Sequence, residues 1–182
     1  MIRILTDSAA DLTAAELNAP GVIVVPMTVT FMDGTSQEDD GTMTKDDFFA
    51  RLASDSKLPR TSQPSPASFM QAYEDAAAAG DEVIVITIAQ KLSGTFQSAR
   101  LAAADADFAP YIVDSESASQ GEALLVREAV RLRDEEGLTA EEIAAVLEQF
   151  KKRVRIVAVV DSLKHLQKGG RLPAAVALVG GA

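Results

Sequence analysis

Val83-Ile84-Val85-Ile86-Thr87-Ile88 is almost wholly β-branched and carries no polar alternation. A strand with one wet face alternates apolar and polar residues, whereas a strand covered on both faces reads as one apolar run. The stretch therefore predicts a strand inside a sheet with helices on either side. Outward from it, residues 2–6, 22–29, 111–113 and 154–160 read as further strands, the last again nearly continuous in apolar residues.

Helices with readable starts lie between these runs. Thr13-Ala-Ala-Glu16 and Thr139-Ala-Glu-Glu142 fit the capping box, in which hydroxyl and carboxylate satisfy orphan N–H groups reciprocally. Thr44-Lys-Asp-Asp47 has the same form with a shorter acid, and Ser65-Pro66 supplies a cap followed by proline in the first turn. Ile143, Val146, Leu147 and Phe150 fall on one helical face, as do Leu125, Val126, Ala129, Val130 and Leu132 on the preceding helix. Phe69, Met70, Tyr73 and Ala77 mark another, and Leu101, Ala102 and Phe108 belong to a further helix and its exit. Strand–helix alternation with long crossovers predicts an α/β fold, a mainly parallel sheet flanked by helices on both faces. Asp33-Gly34 suits a hairpin turn and allows local antiparallel pairing.

Composition narrows the function. The chain has 182 residues, a length for one domain, and 47% of them are hydrophobic, enough for a real core. Its 17 Lys and Arg against 27 Asp and Glu give a net charge of −10, which disfavours nucleic acid and anionic membrane surfaces as ligands. With no Cys there is no disulfide framework, thiol nucleophile or zinc–thiolate site, and a single histidine, His165, excludes multi-His metal centres. The N-terminus turns polar by Thr6, too early for a signal peptide, and no run is long enough to span a bilayer. A cytoplasmic protein without metal or other cofactor is expected.

Polar residues gather where strands end. Thr6-Asp7-Ser8, Val113-Asp114-Ser115 and Val160-Asp161-Ser162 each close a strand with the same dipeptide. Thr61-Ser62-Gln63-Pro64-Ser65 and Ser93-Gly94-Thr95 precede predicted helices. Carboxyl ends of parallel strands share one rim where ligands bind, and helix N-termini there favour a carboxylate or phosphate. Each of these serines also reads as an ordinary N-cap. An enzyme acting on a small phosphorylated or carboxylated substrate, with Asp7 or Asp114 as base, is the alternative. The motif G-x-S-x-G is absent, as are the phosphate loop and G-x-G-x-x-G. Glu38-Asp39-Asp40-Gly41 reads as a solvated acidic loop, since the frame from Ser36 to Asp47 lacks a calcium loop's first Asp and last Glu.

Toward the end, Leu166-Gln-Lys-Gly-Gly-Arg171 reads as a helix terminus with a glycine turn presenting Arg171. The stretch from Leu172 to Val179 is almost wholly apolar and would expose a patch unless covered, so self-association through it is one expectation.

These motifs together have a family likeness. The chain resembles the N-terminal lobe of the DegV family of bacterial fatty-acid-binding proteins. The likeness rests on Thr6-Asp7-Ser8-Ala9-Ala10-Asp11-Leu12, Val25-Pro26, Thr61-Ser62-Gln63-Pro64-Ser65-Pro66, Leu92-Ser93-Gly94-Thr95-Phe96-Gln97-Ser98-Ala99, Val113-Asp114-Ser115 and Leu163-Lys-His-Leu-Gln-Lys-Gly-Gly-Arg171. The second and third serine-rich stretches in this order are its most specific part. The resemblance implies a non-enzymatic carrier that holds a long-chain fatty acid and presents it to a fatty acid kinase for phospholipid synthesis. It implies carboxylate contacts from Thr61, Ser62, Ser93, Gly94 and Thr95, an apolar tunnel for the acyl chain, and kinase docking around Arg171. It also implies a single domain over residues 1–182, with a second lobe, closing the tunnel and adding a head-group histidine, absent from this chain; His165 is not that histidine.

Overall fold

The run at 83–88 forms a strand in the interior of a parallel sheet. In the computed structural model of the chain, which describes residues 1–55, 57–106, 108–159 and 163–171, the elements follow as β1 (Ile2–Asp7), α1 (Ala14–Leu17), β2 (Val22–Val25), β3 (Thr28–Thr30), β4 (Ser36–Glu38), α2 (Lys45–Ser54), β5 (Arg60–Ser62), α3 (Pro66–Ala78), β6 (Glu82–Thr87), α4 (Thr95–Ala104), β7 (Tyr111–Asp114), α5 (Gln120–Asp134), α6 (Ala140–Phe150) and α7 (Lys164–Lys168). They divide into two units, one of Met1–Met27 with Gln63–Ile156, the other of Thr28–Ser62 with the described residues from Val157 onward.

The first unit holds a four-stranded sheet in the order β2-β1-β6-β7, all parallel. Because successive side chains on a strand point to opposite faces, β1 and β6 contribute to two cores at once. Ile4, Ile84 and Ile86 face Leu125, Val126, Leu132, Ile143 and Leu147 of α5 and α6. Leu5, Val83 and Val85 face Phe69 and Tyr73 of α3 and Ala99 and Ala102 of α4. Each of these strand residues is 0–1% exposed, which is why the sequence shows no alternation there. The expected α/β class and helical cover on both faces are present. Ala76 rather than Ala77 is the buried alanine of α3, and Val146 lies at the exposed margin of α6.

Capping chemistry sets several helix boundaries. Thr13–Glu16 and Thr139–Glu142 form complete capping boxes, and Thr44 and Ser65 cap α2 and α3 through their hydroxyls. After α7 the N–H of Arg171 donates to the Leu166 carbonyl at 3.0 Å and that of Gly170 to Gln167 at 3.0 Å. With Gly170 at φ +75°, this is the predicted glycine turn in Schellman form.

Two strand expectations are corrected. Residues 22–29 are two strands, not one: β2 joins the parallel sheet, β3 joins a second sheet, and Pro26 stands between them with no N–H for a ladder. Residues 154–159 contain no strand, and Val157 and Val159 are 91% and 98% exposed. An apolar run signals a preference for burial, but a strand also needs a neighbour with free N–H and C=O groups, and among the described residues none pairs with this one.

The second unit contains a three-stranded antiparallel sheet, β4-β3-β5. β3 and β4 form the hairpin expected at Asp33-Gly34: Gly34 has φ +83°, and the Asp33 carboxylate accepts from the Thr35 N–H at 2.9 Å. The Arg51 guanidinium lies 3.6 Å over the Phe31 ring and pairs with Asp33 at 2.8 Å. The acidic residues 38–41 are exposed, and Asp40 accepts from Thr42. Asp161, Ser162 and the stretch from Leu172 to Val179 lie outside the described residues, as does the His165 side chain.

Candidate functional site

In the four-stranded sheet the chain runs from β1 outward to β2, then re-enters beside β1 on its other side as β6. The sense of winding reverses there, so the carboxyl ends of β1 and β6 flank the topological switch point, the place where open α/β sheets bind ligands. β1 ends at Asp7; β6 leads into the loop that carries Ser93, Gly94 and Thr95.

That loop hangs on two carboxylates. Asp7, fully buried, accepts the Ile88 N–H on Oδ2 at 2.9 Å and the Ala9 N–H on Oδ1 at 3.0 Å. Asp114 accepts from Gln90 at 3.2 Å and Glu116 at 3.0 Å. Ala89 donates to the Ser117 carbonyl at 2.8 Å, and its own carbonyl receives Leu92 and Ser93. Charged acceptors give the stronger class of hydrogen bond, so this loop is held firmly. Asp7 and Asp114 thus serve the backbone of this loop, both Asp114 bonds falling on Oδ1. Ser8 and Ser115 are structural too: Ser8 Oγ accepts from Met27, and Ser115 Oγ closes a local turn with Ser117.

At the end of the loop Ser93 Oγ and Thr95 Oγ1 lie 2.9 Å apart, Thr95 fully buried. Gly94 heads α4 without a side-chain cap, so the helix start presents backbone N–H groups and the positive end of its dipole beside two hydroxyls. Gln63 locks this start. Its Nε2 donates to Ser98 at 3.2 Å, and a Cβ on residue 94 would stand 2.3 Å from its Oε1. Glycine at 94 therefore leaves room for the Gln63 amide, which a methyl would push aside. The two most specific motifs of the sequence touch here through Gln63, a contact that spacing along the chain does not encode.

Beside Asp7 lies Glu122, in the first turn of α5 and 0% exposed. Thr6 Oγ1 donates to its Oε1 at 2.9 Å, while among the described residues its Oε2 and the buried Thr87 Oγ1 have no hydrogen-bond partner. Burial pushes Glu122 up to about 10, and the like charge of Asp7 adds to this. Burial likewise raises Asp7, to about 6, against the pull of the Ile88 and Ala9 amides. Glu122 thus holds a proton at neutral pH. An acid in a first helical turn ordinarily reads as a solvated dipole partner, so the sequence offers no signal of its burial.

Thr61 and Ser62 lie on β5 of the second unit, opposite Val29 and Thr28. Thr61 also borders a cavity of about 1060 Å³ with Phe31, Phe48 and Leu52, and with Arg60 and Arg171 among its cations. Arg171 is exposed and donates to the Gly169 carbonyl. No helix among the described residues is long and apolar enough to cross a membrane.

The family described as uncharacterised proteins of the DegV family matches residues 1–182. A DegV domain-containing protein of Caldanaerobacter subterraneus subsp. tengcongensis is 36% identical over 181 residues, 99% of this chain and 64% of that protein. Among solved structures, a DegV family protein of Thermus thermophilus, described for its fatty acid binding, is similar with a TM-score of 0.87 and 37% identity over 98% of this chain and 63% of that one. A stearic-acid-binding protein of Eubacterium ventriosum is similar with a TM-score of 0.80 and 31% identity, over 96% of this chain and 63% of its own length. The chain thus spans somewhat less than two thirds of these relatives.

Proposed function

Since the chain belongs to the DegV family, we propose that it binds a long-chain fatty acid and carries it as cargo without acting on it chemically. Ser93, Gly94 and Thr95 receive the carboxylate at the start of α4, with Thr61 and Ser62 as the further hydroxyls. The observation that carries this reading is the uncapped start of α4 between two hydroxyls 2.9 Å apart. A carboxylate there accepts from hydroxyls and backbone amides, so it needs no buried cation. The cavity bordered by Thr61 supports the reading, because its Phe31, Phe48 and Leu52 side offers apolar cover and an acyl chain gains about 0.8 kcal/mol for each CH₂ removed from water. The carrier presents its acid in the cytoplasm to a fatty acid kinase that contacts Arg171, and the net charge of −10 fits a protein that avoids nucleic acid and anionic membranes.

Titration with stearate tests this. One saturable site is expected, and Thr61→Ala combined with Ser93→Ala weakens it by roughly tenfold or more for each hydroxyl lost, since hydrogen bonds to a charged group contribute about 1.5–3 kcal/mol. Unchanged affinity in the double variant overturns the assignment.

A further inference from the structure

We propose that Asp7 is a positioning residue for the fatty-acid site, and that the buried Asp7–Glu122 pair makes the site sensitive to protons by tightening or loosening its hold on the loop that carries Ser93. The inference rests on the reading of Ser93 as a carboxylate contact.

Asp7 supplies the first of several anchors of the loop, with Ser117 and Asp114 holding the next two residues. Asp7 Oδ2 holds the Ile88 N–H at 2.9 Å, the first bond of the loop after β6. One residue on, Ala89 is fixed to Ser117, and its carbonyl receives the Leu92 and Ser93 amides at 2.8 and 3.2 Å. The Ser93 backbone is thus placed through the Ala89 carbonyl, while its hydroxyl meets Thr95, and Asp7 fixes where that stretch of backbone begins. Meanwhile Asp7 Oδ1 holds Ala9, so each oxygen carries one amide. An ionised carboxylate accepts strongly at both oxygens; protonation turns one of them into a donor and a poorer acceptor, which weakens the amide bond held there.

The proton that Asp7 takes up comes from solvent, because Glu122 keeps its own throughout. Glu122 on α5 acts directly on Asp7, and its Oε2 is buried with no hydrogen-bond partner among the described residues. The other described charged groups nearby serve β7: the Asp114 carboxylate anchors Gln90, and Lys151 donates to the Asp114 carbonyl and pairs with Glu116 and Glu148. The turn at Ser8–Ala10 and the strand β2 bring no charge. Above neutrality the pair keeps one proton, on Glu122, and Asp7 stays ionised with Ile88 held. As pH falls through about 6, Asp7 takes up the pair's second proton and its hold on one of its two amides weakens.

Two readings on the same wild-type sample decide the matter. The Ile88 amide resonance in the ligand-free chain reports the anchor, and stearate affinity over the same pH series reports the site. The expected result is one step in the Ile88 shift near pH 6 and an affinity that falls below it by up to tenfold per pH unit, the slope of one linked proton. In Asp7→Asn, where Nδ2 donates and cannot take the place of the second oxygen, the step disappears and affinity is low throughout, with only the ligand's own titration left. An Ile88 resonance that does not move overturns the proposal without touching the fatty-acid reading, as does a moving resonance with a pH-independent affinity. Absence of saturable stearate binding at any pH overturns the fatty-acid reading and the proposal that depends on it. Because the wild type supplies both curves, poor folding of Asp7→Asn does not spare the proposal.

Discussion

The two edges of the four-stranded sheet are built from the same residue types to opposite ends. At the amino edge, Asp81 pairs with the Met1 amino group and with Arg3, and those cations hold its carboxyl below the usual range. Nearby, α6 begins with a complete capping box. At the carboxyl edge, Asp7 and Glu122 are buried without a cation, both are raised, and α4 begins uncapped. Carboxylates at one edge fasten the fold; at the other they fasten a loop and leave donors open. Ligand chemistry is concentrated where satisfaction is incomplete.

The two edges should therefore fail differently. The largest effect belongs to Asp114→Ala, which strips the Gln90 and Glu116 amides of their acceptor. It should cost about 1–3 kcal/mol in urea unfolding, since both bonds go to a buried carboxylate from partly exposed residues at about 0.5–1.5 kcal/mol each, and should weaken stearate binding as well. A variant that loses stability but binds normally would break the link between this edge and the ligand.

Next is the pH dependence. A carboxyl whose folded value is raised binds a proton more tightly when folded, so Asp7 and Glu122 contribute stability at low pH that is lost as pH climbs from about 4 through 6 for the first, and on toward 10 for the second. Asp81 has the opposite sign: its folded value is lowered, so its contribution is present above its unfolded value and is lost as pH falls below it. Glu122→Gln keeps the shape and removes the charge. Its thermal midpoint should exceed that of the wild type increasingly as pH rises; a constant difference would contradict the burial of an ionisable group there.

Gly94→Ala is intermediate. The new methyl displaces the Gln63 amide and its bond to Ser98, a loss of about 1 kcal/mol in stability, with weaker stearate binding from the disturbed start of α4. Replacement of Gln63 by Ala in the same chain should remove the steric part of that penalty, a coupling that a double-mutant cycle measures. The smallest effect is Asp81→Asn, which should lower stability slightly and leave stearate affinity unchanged.

How much of this was readable in the sequence follows the same division. β1, β6 and β7 announced themselves because burial on two faces demands uninterrupted apolar residues, and the capping boxes gave helix starts directly. β4 and β5 did not: Ser36–Glu38 and Arg60–Ser62 are short polar strands held by backbone pairing, with no apolar pattern to betray them. The run at 154–160 misled for the converse reason, since apolar character does not supply a pairing partner. In the site, Ser93-Gly94-Thr95 stood out by composition, and so did Asp7 and Asp114. Their roles were hidden, because an Asp-Ser that caps a turn and one that anchors a distant loop are spelled alike. Only the fold sets Ile88 beside Asp7, 81 residues away, or Gln63 against Gly94.

The most direct test of the account is the stearate titration of the wild-type chain beside Ser93→Ala, with urea unfolding of both as the control. The account predicts one saturable site in the wild type, weakened roughly tenfold or more by the substitution, and similar unfolding curves. Equal binding by the two proteins, or no saturable site in the wild type, would contradict it.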